Sequence, residues 1–217
     1  MDNSPSTLQK LFSVFAKPQT YLNLVYLFLT FPLGLTYFII LITGLSVGFG
    51  LIIIWVGLLI LAAVFAISWA CVHFERLLAV HLLDVSIPQP APISVAGEPV
   101  FQQIKRHFTN PVTWKGIAYL FLKFPLGIAT FVVCVTLLSL SFALLMAPFF
   151  YPFWHFNFFY TRIDNLPVAL VAMIVGVFLI PLSLHLLNLL AELWAKLTVV
   201  FLGSGEENAP KPISQTV

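Results

Sequence analysis

Between Lys17 and Glu75 the chain carries no charged residue, a run of 57 positions (18 to 74). Laid out as one helix, such a run would extend on the order of 80 Å at about 1.5 Å per residue. The hydrocarbon core of a bilayer is only about 30 Å thick. The run must therefore fold back, and its solvent must be lipid. The whole chain agrees: of 217 residues 60% are hydrophobic and 8% charged, and mean hydropathy is +1.03. Soluble domains carry about 25% charged residues. A net charge of +2, with no basic tract, gives no argument for nucleic acid.

The chain is also written twice. YLFLTFPLG, from Tyr26 to Gly34, returns as YLFLKFPLG, from Tyr119 to Gly127. The same register pairs Pro18 with Pro111, Thr20 with Thr113 and Phe38 with Phe131. Farther on, His73 to Ala79 realigns with His185 to Ala191, the offset having grown by 19 residues from 93 to 112. The insertion falls in the second copy, around Phe149 to Asn165. A duplicated unit of this length sets the architecture before any motif is considered.

The pattern predicts an all-α polytopic membrane protein with four transmembrane helices, arranged as two tandem parallel repeats. Each repeat is a helical hairpin flanked by interfacial amphipathic helices. The first repeat, 1–84, places spans at about 21–43 and 51–71. Its reversal falls on Thr43 to Gly50, where three glycines interrupt the apolar run. The second, 101–203, places spans at about 117–146 and 166–187, joined by an aromatic outer loop, 149–165. Residues 85–100 read as a Pro-rich linker, and 204–217 as a disordered tail. Short amphipathic helices are expected over 6–16 and 101–109, each stopped by a proline. Polar-faced helices carrying His73, Arg76 and Asp84, and His185, Asn188, Glu192 and Lys196, should leave the membrane after spans two and four. No cleavable signal peptide is evident.

Lys10, Lys17, Arg76, Lys105, Arg106, Lys115, Lys196 and Lys211 fall on one side of this layout, with Lys123 at that side's boundary. Arg162 stands opposite. The positive-inside rule then assigns both termini and the linker to the cytoplasm, in a multi-pass protein of the cytoplasmic membrane.

Chemistry is sparse. There is no Walker loop, dinucleotide fingerprint, HExxH or GxSxG, so an enzyme is not expected, nor a cofactor or metal. Cys71 and Cys134 sit in apolar segments as packing residues. His73 and His185 occupy equivalent positions and read as interfacial side chains. With no charged residue in the middle of a span as drawn, ion-coupled transport is disfavoured. Pro32 and Gly34, with Pro125 and Gly127, form the structural repeat motif: a kink near the cytoplasmic end of spans one and three, and a point of close helix approach. The segment FFYPFWHFNFFY, from Phe149 to Tyr160, reads first as an interfacial aromatic anchor. Its second reading is a ligand- or lipid-binding surface with Trp154, His155, Asn157, Arg162 and Asp164 as contacts.

The duplicated Tyr26 to Gly34 block, Pro111 to Trp114, Thr43 to Gly48 and Glu75-Arg76-Leu77 together resemble the putative sensor domain family of bacterial and archaeal membrane proteins. Domains of that family commonly precede a histidine kinase module, which does not follow Gly203 here. The resemblance implies a non-enzymatic sensory or ligand-binding module that relays a signal to a separate partner. It brings no catalytic residues. Expected partners are membrane lipids, a histidine kinase or another membrane protein in trans, and further copies of the chain. The alternatives are a small oligomeric transporter or flippase-like subunit, and an assembly factor for a membrane complex.

Overall fold

The computed structural model describes residues 12–86, 111–150, 156–158, 161–163 and 165–203. Four long helices dominate it: α1 (Pro18–Gly50), α2 (Val56–Leu82), α3 (Pro111–Leu145) and α4 (Leu166–Leu202). All four are long and apolar enough to cross a membrane. The two copies start alike, on Pro18 and Pro111. Proline suits a first helical position, where its missing N–H would have had no partner. Pro32 and Pro125 each follow 14 residues later (32 − 18; 125 − 111), inside continuous helices. They therefore lie nearer the helix middles than the membrane boundary that the sequence suggested.

Three boundaries differ from expectation. First, α1 runs through Thr43 to Gly50 without a break. Gly44 and Gly48 are packing positions: a Cβ on either would collide with Val64 or Leu61 of α2. The reversal instead occupies Leu51–Trp55, as a 3-10 turn (Ile52–Ile54) closed by Trp55 at φ 66°. Glycine in a membrane helix serves close approach at least as readily as it serves a turn. Second, among the described residues no separate polar helices follow the second spans. Both are single helices to Leu82 and Leu202, and past His73 and His185 one face of each stays buried, at Ala79 and at Leu187, Ala191 and Trp194. Third, the aromatic insertion is not all loop. It holds a one-turn helix (Ala147–Phe150) and an antiparallel ribbon of β1 (Phe156–Phe158) and β2 (Thr161–Ile163), in the register Phe156↔Ile163, Asn157↔Arg162 and Phe158↔Thr161.

Of the expected amphipathic N-terminal helix, Phe12 to Ala16 is described; it ends in a 3-10 turn, with Val14 buried and Phe12 stacked on Phe15. The copy at 101–109, most of the linker and the 204–217 tail lie outside the described residues.

The chain forms two compact units, and they do not coincide with the two sequence copies. Unit 1 takes 1–31 and 127–193; unit 2 takes 32–126 and 194–217. Unit 1 thus joins the first part of α1 to the later part of α3 and most of α4, unit 2 joins the rest of α1 and α2 to the first part of α3 and the end of α4, and the division of α1 and α3 falls at the Phe-Pro-Leu-Gly motif. In unit 1, Phe131 packs on Phe28 and Phe31, with ring centroids 5.9 and 5.0 Å away. Ser141 meets Ser183 at 3.0 Å. In unit 2, Phe38 stacks on Phe124 at 4.4 Å.

The motif glycines make the same contact once in each unit. A Cβ on Gly34 would stand 2.8 Å from the Lys123 carbonyl oxygen. A Cβ on Gly127 would stand 2.9 Å from that of Thr30, the residue matching Lys123. Helix backbone meets helix backbone here, as a small residue permits.

Candidate functional site

Unit 2 holds a buried charge cluster to which all four helices contribute. Glu75 of α2 and Lys123 of α3 form an ion pair, and both side chains are 0% exposed. Tyr37 of α1 donates its hydroxyl to the other Glu75 oxygen, Oε1, at 2.8 Å. The Lys123 ammonium lies 5.8 Å from the Tyr119 ring centroid and 5.7 Å from that of Trp194 on α4, within cation–π range. Tyr119 in turn meets Thr198 at 3.1 Å, and Thr198 donates to the Trp194 carbonyl. The carboxylate thus has partners for both oxygens, and the ammonium sits among a carboxylate and two aromatic faces. The expectation that no charged residue lies in the middle of a span as drawn left this pair out, although both residues lie inside the long helices α2 and α3. Glu75 fell beyond a second span drawn to end at 71, and Lys123 was taken for a boundary residue.

Unit 1 shows what the same positions do without charge. Tyr26 matches Tyr119, Thr30 matches Lys123, Thr130 matches Tyr37 and Leu187 matches Glu75. All four unit 1 residues are buried, and Thr30 returns its hydroxyl to the Tyr26 carbonyl at 2.9 Å.

A cleft of about 60 Å³ opens beside the charge cluster, lined within unit 2 by segments of α2, α3 and α4. Ser68, Arg76 and Gly116 are buried at its base, whereas Trp69 and His73 are exposed and stack on each other at 6.0 Å. Arg76 is only 8% exposed. Its Nε and Nη2 have no hydrogen-bond partner among the described residues.

The family model described as Putative sensor matches residues 26–202. The chain belongs to that family. Comparison with curated proteins and with solved structures gives no match. Membership gives the chain a sensory role in general terms, and the match covers α1 from Tyr26 onward, the other three helices and the charge cluster.

The residues singled out from sequence fare unevenly. Asn157 and Arg162 are brought opposite each other in the β ribbon, while Trp154, His155 and Asp164 lie outside the described residues. Gly34 and Gly127 sit at the helix approaches described above, while Pro32 and Pro125 are exposed on their helices. His73 lines the cleft mouth; His185 is exposed in unit 1. Among the described residues no group of three metal-ligating side chains occurs. Glu75, Lys123 and Arg76 were missed as a site. The available signal was the repeat itself, since Lys123 and Glu75 replace Thr30 and Leu187 at matched positions.

Proposed function

We propose that the chain is a non-enzymatic sensory module of the cytoplasmic membrane that passes a membrane-borne or external signal to a separate protein in trans. The observation that carries this is the Glu75–Lys123 pair, fully buried and tied to α1 and α4 through Tyr37 and Trp194. Ionisable residues inside a membrane segment are costly and mark function by default. Removing one partner of a buried pair costs about 3–5 kcal/mol, far more than replacing both. Such a pair holds helices in one arrangement and releases them when either partner is engaged elsewhere. A histidine kinase or another membrane protein is the expected recipient, and membrane lipids and further copies of the chain are the remaining partners. The aromatic segment around Trp154 and His155, with Asn157, Arg162 and Asp164, stays a proposed lipid or ligand contact on the outer side.

Both termini and the Pro-rich linker are assigned to the cytoplasm, on the support of Lys10, Lys17, Arg76, Lys105, Arg106, Lys115, Lys196 and Lys211.

Affinity purification in mild detergent, from wild type and from Glu75→Gln, tests the relay. A signalling membrane protein retained by the first and released by the second is the expected result. Equal retention by both would remove the charge pair from the relay. The same pair favours one other reading, an ion-coupled small transporter. Proton or ion flux in proteoliposomes that Glu75→Gln abolishes would establish that instead.

A further inference from the structure

The internal duplication supplies a comparison for the cleft. In unit 1 the position of Arg76 is held by Asn188, that of Thr113 by Thr20 and that of Gly116 by Asn23. Those three residues satisfy one another. Asn23 Nδ2 donates to Asn188 Oδ1 at 3.0 Å, and Asn188 Nδ2 donates to Thr20 Oγ1 at 3.1 Å. Gln19 adds a bond to Asn23 Oδ1 at 3.1 Å. In unit 2 the amide of Asn23 has no counterpart. Gly116 offers no side chain where Asn23 stands, the cleft opens there, and the facing residue is a guanidinium with unpartnered nitrogens.

A buried unpaired cation is among the least favourable groups a protein can hold. Arginine's fork of donors matches a phosphate or carboxylate. The first turn of α3, which starts at Pro111, lines the cleft with Thr113 and brings the positive end of its helix dipole. Phe201 and Leu202, the last residues of α4, close another side. Helices that end here place the cleft near the edge of the apolar slab, at headgroup depth. Its other walls, Val72, Ile117 and Trp69, are apolar.

We infer that this cleft binds the oxyanion headgroup of an anionic amphiphile, with Arg76 as the anion-binding residue, Gly116 as the opening and Trp69 with His73 at the mouth. Phosphate is the shared chemistry, and a phospholipid is favoured over the free ion by the apolar walls. This deepens the sensory reading by naming the chemistry that unit 2 would detect.

The test uses the full chain in a neutral detergent free of phosphate. Thermal unfolding and native mass spectrometry are followed on addition of phosphatidylglycerol, phosphatidylcholine or inorganic phosphate. The expected result is selective retention of phosphatidylglycerol with a raised Tm. Arg76→Met keeps the apolar stem and removes the charge; it should fold and bind about tenfold or more weakly. Gly116→Asn copies unit 1. Its Cβ would lie 2.9 Å from the Val72 Cγ2 methyl, so that side chain must turn, and its amide then occupies the cleft and removes lipid selectivity with Arg76 intact. An Arg76-dependent shift from inorganic phosphate alone supports the oxyanion site and assigns it to the free ion. No preference among the lipids with no effect of phosphate, or undiminished selectivity in folded Arg76→Met, overturns the inference. Either of these leaves the co-purification result for Glu75→Gln standing on its own.

Discussion

Lys123 and Thr30 hold the same position in two copies of one sequence, yet one is a buried cation and the other a hydroxyl bonded back to its own helix. Unit 1 thereby provides a template for an uncharged unit 2. Lys123→Thr alone strands the Glu75 carboxylate with Tyr37 and should cost about 3–5 kcal/mol. Glu75→Leu alone strands the ammonium and should do comparable damage. The double variant, which copies Thr30 and Leu187, should recover most of that loss, since apolar replacement of a buried pair is often neutral or stabilising. Thermal unfolding of the three variants in one detergent measures the coupling. Additive losses would mean that the pair contributes no interaction. This site was only partly legible in the sequence. Each residue was visible as an exception to its repeat partner, but a contact between positions 48 apart on different helices has no local signature. Arg76 misled for another reason: arginine near a helix end usually snorkels to the headgroups, and here it is buried.

At the scale of elements, four apolar helices follow directly from hydropathy, and their proline starts follow from the repeat. The helix ends were harder to read. Gly44, Gly48 and Gly50 look alike in sequence, but only the first two face α2, and a Cβ on Gly50 would meet nothing within 4 Å. Turn formation and close approach use the same residue, so composition alone does not separate them. The actual reversal, Leu51–Trp55, is built of isoleucine and tryptophan, with Trp55 held at a positive φ that bulky residues rarely adopt. The structure therefore ranks the glycines. Gly50→Ala should be neutral or raise stability slightly, since alanine is favoured in helices by roughly 1 kcal/mol. Gly34→Ala and Gly127→Ala should each lose about 1–3 kcal/mol, because the obstructing atoms are backbone carbonyls that no rotamer change can move. Melting temperatures of the three variants check the ranking; a destabilised Gly50→Ala beside an unaffected Gly34→Ala would contradict the packing.

For the whole molecule, the first prediction is topological. If both ends and the linker are cytoplasmic, a cysteine placed at Ser94 or Ser204 should resist an impermeant thiol reagent in intact cells, while one at Asn157 should react. Strong outside labelling at Ser94 would refute the four-span layout. The second concerns the contrast between Asn23 and Gly116. A protein whose total stability is about 5–15 kcal/mol tolerates only a few poorly satisfied polar groups, and this chain keeps Arg76 in one unit while the matching amides of the other are bonded together. The two units should then open with different ease, although they descend from one sequence. Amide hydrogen exchange reports such local opening. Backbone amides around Thr113 to Ile117 should exchange faster than those around Thr20 to Leu24, and occupancy of the cleft should narrow the gap. Duplication would thus have given the chain a built-in reference: one half that stays closed, against which the opening of the other can be measured.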